Sequence, residues 1–447
     1  MKFIPLILLT FLAPLFFYKL GESSLVSWDE AWYADIARNI LNSGDIFHLT
    51  WNGGSYVDHP PAGFWLMAII FKIFGVSEFW ARFPSALLGL ASVYVLYFLS
   101  KELFNRTVGF ASALALPSTF WFLYRARSGN LDILLTFFFL LTILLAIKAA
   151  KQKLYLWPFS ISLALLLLTK TVVPFTIPPI LLIIFWRAKR FKIWDFIWPF
   201  ILPLSLFILW FVLQLGASPD MLNYYFKIGL PGVKVGEPIL QNFLLIKEYL
   251  HSGVGKWFWP GILGLILGIL TLQKRFLILT VFAMIFFMPF LFSERGQIWH
   301  LIPLYPILTL VFFGLAYVLI EKVIKNKWLV SLMVLSVGIY FSFMQIRQAW
   351  YQFVDIPAFV SDEAILSSKA HNYPYRFYID GDFYPVAVFY SQKNVQQIWS
   401  TAIPEIFNQK EQSLLITKQE RLDGAKIAKN RYQVLAADRD KILILKE

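Results

Sequence analysis

Long apolar runs, each near the length of a membrane-spanning helix, dominate this sequence. A helix that crosses the hydrocarbon core of a bilayer needs about 20 mainly apolar residues. Runs of roughly that length occupy residues 3–20, 79–99, 107–124, 131–147, 154–168, 172–186, 193–215, 257–272, 276–292, 298–320 and 328–346. The sequence therefore predicts an all-α polytopic membrane domain of about eleven transmembrane helices.

The composition agrees with that architecture and excludes several others. Hydrophobic residues make up 58% of the 447 and charged residues only 15%, whereas soluble domains carry about 25% charged residues. These values rule out a disordered chain, a fibrous repeat and an ordinary cytosolic enzyme. The net charge of +13 is spread between the apolar runs, which favours topology signals and contacts with membrane lipids over nucleic-acid binding. The chain has no cysteine, so it forms no disulfide or thiolate metal site.

The loops predict an orientation. Basic residues are more frequent in the short loops on the same side of the membrane as the N-terminus. The positive-inside rule places that side in the cytoplasm, with the protein in the cell (inner) membrane. The C-terminal segment then lies outside. The outer loops at 21–61 and 216–256 are longer and mix acids, bases and aromatics, as expected of loops that carry function. Residues 62–75 are apolar but too short to span, so an interfacial or re-entrant segment is expected there.

The sequence becomes polar after residue 346, and two domains are predicted. Residues 1–346 form the membrane domain, with its first outer loop at 21–78, and residues 347–447 form a small extracytoplasmic α/β domain. Short apolar runs at 376–379, 413–417, 432–436 and 441–445 suggest strands, and 357–368 and 403–409 suggest helices. The last two runs flank a short turn and are predicted to form a hairpin.

The first outer loop contains an acidic pair, Asp29-Glu30, at the start of a helical pattern. Trp32, Ile36 and Ile40 recur every four residues, which predicts an amphipathic helix on the membrane surface. Two readings of the pair stay open. Asp29 and Glu30 are candidate catalytic carboxylates, but Glu30 lies three residues after Ser27 and could complete a capping box. An acid such as Asp29 in a first turn also favours the helix dipole. Asp35 and Arg38 are expected to form a surface pair.

A second motif, Tyr56-Val57-Asp58-His59-Pro60-Pro61, follows in the same loop. Tandem prolines fix an extended turn, so Asp58 and His59 are expected at a defined position facing the outer interface. The alternative is a solvated loop without function.

Together these motifs carry a family resemblance. The Asp-Glu pair, Ser43-Gly44-Asp45, the turn before two prolines and Ala81-Arg82-Phe83-Pro84 resemble the GT-C fold glycosyltransferases that use polyprenyl-phosphate sugars. Among these are protein O-mannosyltransferases and the aminoarabinose transferases of lipid A. The likeness is densest over residues 28–104 and recurs weakly at 125–132, 169–170 and 293–306.

The resemblance implies a reaction and roles for two residues. Asp29 would be the catalytic carboxylate, and the basic residue before the prolines would contact the lipid phosphate. That residue is His59 here, where the aminoarabinose enzymes have lysine. The reaction implied is inverting transfer of a glycosyl group from a polyprenyl-phosphate sugar to a lipid, glycan or protein acceptor, outside the cytoplasm. The leaving phosphate is already an anion, so the chemistry needs a base for the acceptor and cations for the phosphate.

The predicted outer ends of the spans supply these residue types. The candidate phosphate ligands are His59, Arg82, Arg127, Lys170 and Arg295, and the candidates for substrate positioning are Tyr33, Tyr56, Asp58, Asp132 and His300. Arg125 is a further base at these ends. Headgroup binding and snorkelling are the alternative role for such bases. Lys170 stands out, because a charge that follows an apolar run is costly unless it faces a cavity.

A divalent metal and two other functions are alternatives. Asp58 and His251 have side chains that suit a metal, and members of the family differ in whether they use one, but no HxxxH or HExxH spacing is present. A polytopic transporter or flippase for a lipid-linked or anionic substrate is the main rival function. Transporters place ionisable residues at mid-membrane, whereas here the span interiors hold few charges. A membrane scaffold for the C-terminal domain would leave the Asp-Glu motif without a role.

Overall fold

Apolar helices make up most of the structure, a computed structural model that describes residues 3–170, 180, 192, 194–217, 237–271, 273–292, 298–381 and 383–447. Before the C-terminal domain the helices are Ile4–Thr10, Ala13–Phe17, Ser27–Ser43, Ala62–Phe74, Glu78–Leu103, Arg106–Ala115, Phe120–Ala126, Asp132–Ala149, Leu156–Leu167, Trp194–Ala217, Glu237–Val254, Phe258–Thr271, Lys274–Phe292, Leu304–Val323 and Lys327–Ala349.

Fewer spans are found among the described residues than the eleven predicted, and the exact number stays a prediction. Within the described ranges, six helices are long and apolar enough to cross a membrane, at Glu78–Leu103, Asp132–Ala149, Ile197–Gly216, Leu240–Thr271, Leu304–Val323 and Lys327–Val354. A pair bent by 72°, Arg106–Ser118 with Phe120–Ala126, would be a seventh. Three features account for part of the difference. The run at 3–20 breaks into two short helices, the run at 154–168 gives a helix of only 12 residues, and the run at 172–186 falls outside the described residues.

The chain divides into two compact units. One comprises residues 1–19, 57–63 and 83–356, and the other residues 20–56, 64–82 and 357–447. The second unit thus joins most of the predicted first outer loop to the C-terminal residues. The predicted boundary between residues 346 and 347 stays a prediction.

Small residues allow close helix packing in the first unit. Gly261, Gly264 and Gly268 follow one another on helix Phe258–Thr271, and a Cβ on Gly264 would lie 2.3 Å from Val311 Cγ1. Such small residues let helix backbones approach each other in membrane proteins.

The second unit contains a five-stranded sheet. Strands β1 (Thr50–Trp51) and β2 (Gly54–Ser55) form a separate hairpin, described below. The strands of the sheet are β3 (Arg376–Asp380), β4 (Val395–Ile398), β5 (Ser413–Lys418), β6 (Tyr432–Asp438) and β7 (Lys441–Lys446), in the order β4-β3-β5-β7-β6. Strands β3, β4 and β5 are parallel, and β7 pairs antiparallel with both β5 and β6. The four predicted strands and the hairpin are confirmed. The polar strand β4 was missed.

Helices cover both faces of this sheet. They are Asp362–Ala370, Tyr384–Ser391, Ile403–Asn408 and Gln419–Gly424. Alternate strand residues divide between two apolar clusters, with Phe377 and Ile379 in one and Tyr378 and Leu415 in the other. Helix Tyr384–Ser391 also packs against helix Ser27–Ser43, which we call the motif helix. Much of the motif helix is buried, including Ala31, Asp35 and Arg38, so it does not present the simple surface stripe that the sequence predicts.

A small hairpin completes the second unit. Strands β1 (Thr50–Trp51) and β2 (Gly54–Ser55) pair antiparallel, and the two residues between them, Asn52 and Gly53, have φ of 50° and 79°. An Asn-Gly pair is the preferred sequence for such a turn. The Asn52 side chain donates to Val395 O at 2.9 Å and accepts from Val395 N at 2.7 Å, which fixes the hairpin to the start of β4.

Candidate functional site

The acidic pair occupies the first turn of the motif helix. The helix begins at Ser27 and ends before Gly44, which adopts a φ of 74° suited to glycine. Asp29 is half-buried, whereas Glu30 is only 3% exposed. The two neighbouring carboxylates therefore have different surroundings.

Glu30 is held by a buried arginine. Arg82 donates from Nε to Glu30 Oε1 at 2.9 Å and from Nη2 to Glu30 Oε2 at 2.8 Å. Its Nη1 donates to the carbonyls of Leu20 and Ser23, and its Nη2 also donates to that of Ser24. Five hydrogen bonds thus match the five N–H donors of a guanidinium.

These contacts change the roles predicted for both residues. Because its five N–H donors already bind protein acceptors, Arg82 fixes the segment around Glu30 and has no N–H left for the predicted phosphate contact. Glu30 also accepts from Val26 N at 3.1 Å, so the alternative in which Glu30 satisfies a backbone amide agrees with the structure. The Glu30–Arg82 pair positions the start of the motif helix and thereby Asp29.

Replacing Arg82 with methionine is expected to destabilise the protein, because the buried Glu30 carboxylate loses its partner. Breaking a buried ion pair from one side costs about 3–5 kcal/mol, which should appear as a lower melting temperature in detergent. Adding Glu30→Gln should recover part of the loss, and Glu22→Gln, at an exposed position of the same unit, is the control. An unchanged melting temperature in Arg82→Met would contradict this role.

Two predicted positioning residues, Tyr33 and Tyr56, belong to a buried aromatic cluster of the same unit. Both are at most 5% exposed. The ring of Phe64 meets each of them edge-on, at 5.3 Å from Tyr33 and 5.4 Å from Tyr56. These contacts give the two tyrosines a packing role, and direct contact with substrate stays a prediction.

A second set of predicted residues meets in the first unit, around Asp132. Its carboxylate accepts from Arg125 Nε at 3.1 Å, forms a further ion pair with Arg125 Nη2, and accepts from Lys170 Nζ through its other oxygen. Asp132, Lys170 and Arg125 are 1%, 7% and 6% exposed. We call these three residues, with His59 and His300, the charge cluster.

Local structure explains how Asp132 reaches this position. Asn130 Oδ1 accepts from the backbone amides of Asp132 and Ile133 at 2.9 and 3.3 Å, so it caps the helix that Asp132 begins. Ser85 Oγ donates to Asn130 O at 3.1 Å. The short loop between Arg125 and Asp132 is thereby held in place.

His59 and His300 are the neutral members of the charge cluster. Burial, and secondarily the charge of Lys170, lowers the pKa of His59 to about 3 and that of His300 to about 4. Both are therefore uncharged at neutral pH. His59 is half-buried and His300 is exposed at its surface, although protein atoms surround both rings closely. The backbone amide of Ala62, just after the two prolines, donates to Leu168 O at 3.0 Å and ties the His59 turn to the segment that carries Lys170.

The remaining candidates lie elsewhere. Arg127 donates to the carbonyls of Phe353, Leu15 and Tyr18 at 2.7–2.9 Å, which makes it a link between segments, and its contact with phosphate stays a prediction. Arg295 lies outside the described residues.

The two predicted metal ligands are Asp58 and His251. Asp58 is half-buried, and His251 is an exposed residue of helix Glu237–Val254, with its ring 5.7 Å from that of Phe258. No group of three or more His, Asp or Glu side chains placed to hold a metal occurs in the described part of the chain. The assignment of a metal to Asp58 and His251 stays a prediction, and the mechanism proposed below uses no metal.

The structure gives Arg125, Asp35 and Arg38 surroundings that the sequence does not predict. Arg125 was recognised as a base but not as a partner of Asp132, and its guanidinium lies 5.1 Å from the centre of the Trp299 ring. Asp35 and Arg38, expected as a surface pair, form a buried ion pair at 3% and 8% exposure. The spacing of Asp35 and Arg38 predicts their pairing but not its burial, and nothing in the sequence signals the contacts of Arg125.

Comparisons with known proteins agree with this architecture. A family model described as dolichyl-phosphate-mannose-protein mannosyltransferase matches residues 58–215. The crystal structure of ArnT from Cupriavidus metallidurans bound to undecaprenyl phosphate superposes with a TM-score of 0.73 at 17% identity, covering 98% of this chain and 97% of that one. The chain therefore has the GT-C fold of that protein.

The proteins related by sequence match a smaller part of this chain than the ArnT structure does. An uncharacterized protein of Aquifex aeolicus is 32% identical over 37% of this chain and 34% of its own length. An undecaprenyl phosphate-alpha-4-amino-4-deoxy-L-arabinose arabinosyl transferase of Pseudomonas savastanoi pv. phaseolicola is 35% identical over 28% of this chain and 23% of its own. The matches thus span 34% and 23% of these relatives' lengths. The resemblance to GT-C glycosyltransferases is confirmed, and the chain is an integral membrane protein.

Proposed function

We propose that this protein is an inverting membrane glycosyltransferase that uses a polyprenyl-phosphate sugar as donor. The acceptor is a lipid, glycan or protein on the extracytoplasmic side, as the excess of basic residues in the predicted inner loops suggests. The observation that carries the proposal is the buried charge cluster, in a chain whose fold is that of a protein crystallised with undecaprenyl phosphate.

Lys170 is the proposed contact of the donor phosphate. An ammonium group has three N–H donors, and within the described residues Lys170 uses them on Asp132 alone. Asp132 also binds Arg125, so its carboxylate is shared between two cations. A phosphate oxygen placed at the ammonium would add charge-assisted hydrogen bonds.

The chemistry follows from the groups present. The acceptor oxygen or nitrogen attacks the anomeric carbon, the bond from that carbon to the phosphate oxygen breaks, and its electron pair leaves with the phosphate. Asp29 takes the proton of the acceptor as general base. The cations of the charge cluster stabilise the phosphate charge that develops, while neutral His59 and His300 supply hydrogen bonds. A single displacement inverts the anomeric centre.

An apolar groove in the first unit suits the prenyl chain. It has a volume of about 440 Å³ and lies among helices that include Phe258–Thr271 and Leu304–Val323. Its walls are apolar side chains such as Phe243, Ile262 and Leu308, and Lys247 is its charged residue. A hydrocarbon tail in such a groove makes van der Waals contacts with apolar side chains.

Reconstitution in vesicles tests the proposal. The purified chain is supplied with radiolabelled polyprenyl-phosphate sugars and with membrane extracts from a deletion strain as acceptors. A glycosyltransferase consumes the lipid donor and labels an acceptor. A transporter or flippase would move the donor between leaflets and leave it chemically intact, and that result would overturn the proposal.

A further inference from the structure

A polar cavity in the second unit lies outside the candidate site. It has a volume of about 460 Å³, within the range of about 300–1,000 Å³ typical of small-molecule sites. Its lining residues come from the motif helix, the β1–β2 hairpin and the end of helix Tyr384–Ser391: Asp35, Arg38, Asn39, Asn42, Ser43, Thr50, Asn52, Gly53, Val388, Gln392, Lys393 and Asn394. Ten of these twelve have polar side chains, and the exceptions are a glycine and Val388.

The deep part of the cavity is built from buried, fixed groups. Arg38 is ion-paired with Asp35 and donates from Nη1 to Phe389 O at 2.8 Å. Asn39 Nδ2 donates to Asp35 Oδ2 at 3.3 Å and to Thr50 O at 3.0 Å. These groups hold one another in place before any ligand arrives, which lowers the ordering cost of binding.

The mouth of the cavity carries side-chain amides that are available to a ligand. Asn42, Gln392 and Asn394 are exposed, and none of the three side chains hydrogen-bonds to the part of the protein that the structure describes. Each amide presents both donors and an acceptor. Sugar hydroxyls also donate and accept, so several amides converging on one space match a carbohydrate.

The chemistry of the lining disfavours other ligands. An anion such as phosphate would need available cations, but Arg38 is engaged with Asp35, and Lys393 donates to Tyr373 O. A peptide would need apolar pockets for its side chains, and Val388 is the one aliphatic side chain among the lining residues.

We propose that this cavity binds the carbohydrate portion of a glycan or glycolipid acceptor. This inference rests on the proposed function for the identity of the ligand as acceptor, but binding can be measured without any transfer. The second unit would then select the acceptor, while the donor phosphate is held in the first unit.

The experiment measures binding of the full-length protein in detergent to an array of immobilised oligosaccharides built from neutral hexoses, hexosamines and uronic acids. The wild type should retain at least one of these classes. The double variant Asn42→Ala/Gln392→Ala should bind the retained oligosaccharide about tenfold more weakly, as expected for the loss of two neutral hydrogen bonds. Asn430→Ala/Gln433→Ala removes two exposed amides that do not line the cavity and should bind like the wild type.

Kinetics provide the second readout. In the transfer assay, Asn42→Ala/Gln392→Ala should raise KM for the glycan acceptor about tenfold, with the effect on KM rather than on kcat. An array on which no oligosaccharide is retained, equal binding by wild type and cavity variant, or displacement by short peptides alone would overturn the inference.

Failure of the inference and failure of the proposed function give different results. Transfer from the lipid donor with no effect of the cavity variant leaves the glycosyltransferase standing and removes the cavity. If the cavity variant weakens oligosaccharide binding but the protein never consumes the donor, the cavity site stands and the proposed glycosyltransferase function is removed.

Discussion

Asp29→Asn is expected to slow glycosyl transfer by about 10²–10⁴-fold, the usual contribution of a positioned general base. Asparagine keeps the size of the side chain but cannot accept the acceptor proton. Asp29 is half-buried in the first turn of the motif helix, next to the fixed Glu30–Arg82 pair. The measurement is kcat with a labelled polyprenyl-phosphate sugar, together with complementation of a deletion strain.

A purely structural role for Asp29 predicts a different outcome. An acid in a first turn stabilises a helix by about 0.3–1 kcal/mol through the dipole. In that case Asp29→Asn would lower the melting temperature slightly and leave kcat unchanged, which would remove Asp29 as the base. Glu22→Gln, an exposed acid at the start of the same unit, is the matched control and should retain full transfer.

Helices and strands with a strong local pattern could be predicted from the sequence. The runs that became helices Glu78–Leu103, Asp132–Ala149 and Leu304–Val323 are long and continuous, and the sheet strands β5 and β7 are short apolar runs. Helix breaks are harder to predict, because the bend after Ser118 and the division of residues 3–20 do not interrupt the apolar composition. Strand β4 was missed because its sequence, Val-Gln-Gln-Ile, is half polar.

The sequence predicts which types of residue form the candidate site, but not which residues pair with one another. The cost of a charge beside an apolar run drew attention to Lys170, yet its partner Asp132 lies 38 residues earlier. Arg82 is predicted as a phosphate ligand because its actual partner, Glu30, lies 52 residues earlier and is not evident from the sequence around Arg82. Asp35 and Arg38 are buried because helix Tyr384–Ser391, some 350 residues later, packs on the motif helix. Such long-range contacts decide whether a charge is structural or available, and local pattern does not contain them.

Lys170→Met is expected to weaken binding of a polyprenyl-phosphate donor by roughly 10–100-fold, the loss of hydrogen bonds to a charged group. The measurement is the Kd of the donor lipid for purified protein, by displacement of a labelled analogue. Lys170→Arg keeps the charge and should recover part of the affinity. Lys101→Met, which removes an exposed lysine at the end of helix Glu78–Leu103, should bind the donor like the wild type.

Stability separates a phosphate ligand from a structural partner of Asp132. In Lys170→Met the buried Asp132 carboxylate keeps its ion pair with Arg125, so the melting temperature should change little. Asp132→Asn instead removes the carboxylate that both cations contact, and an uncompensated buried charge costs about 3–5 kcal/mol. If Lys170→Met lowers the melting temperature as much as Asp132→Asn does, Lys170 serves to neutralise Asp132, and the donor phosphate must bind to other cations.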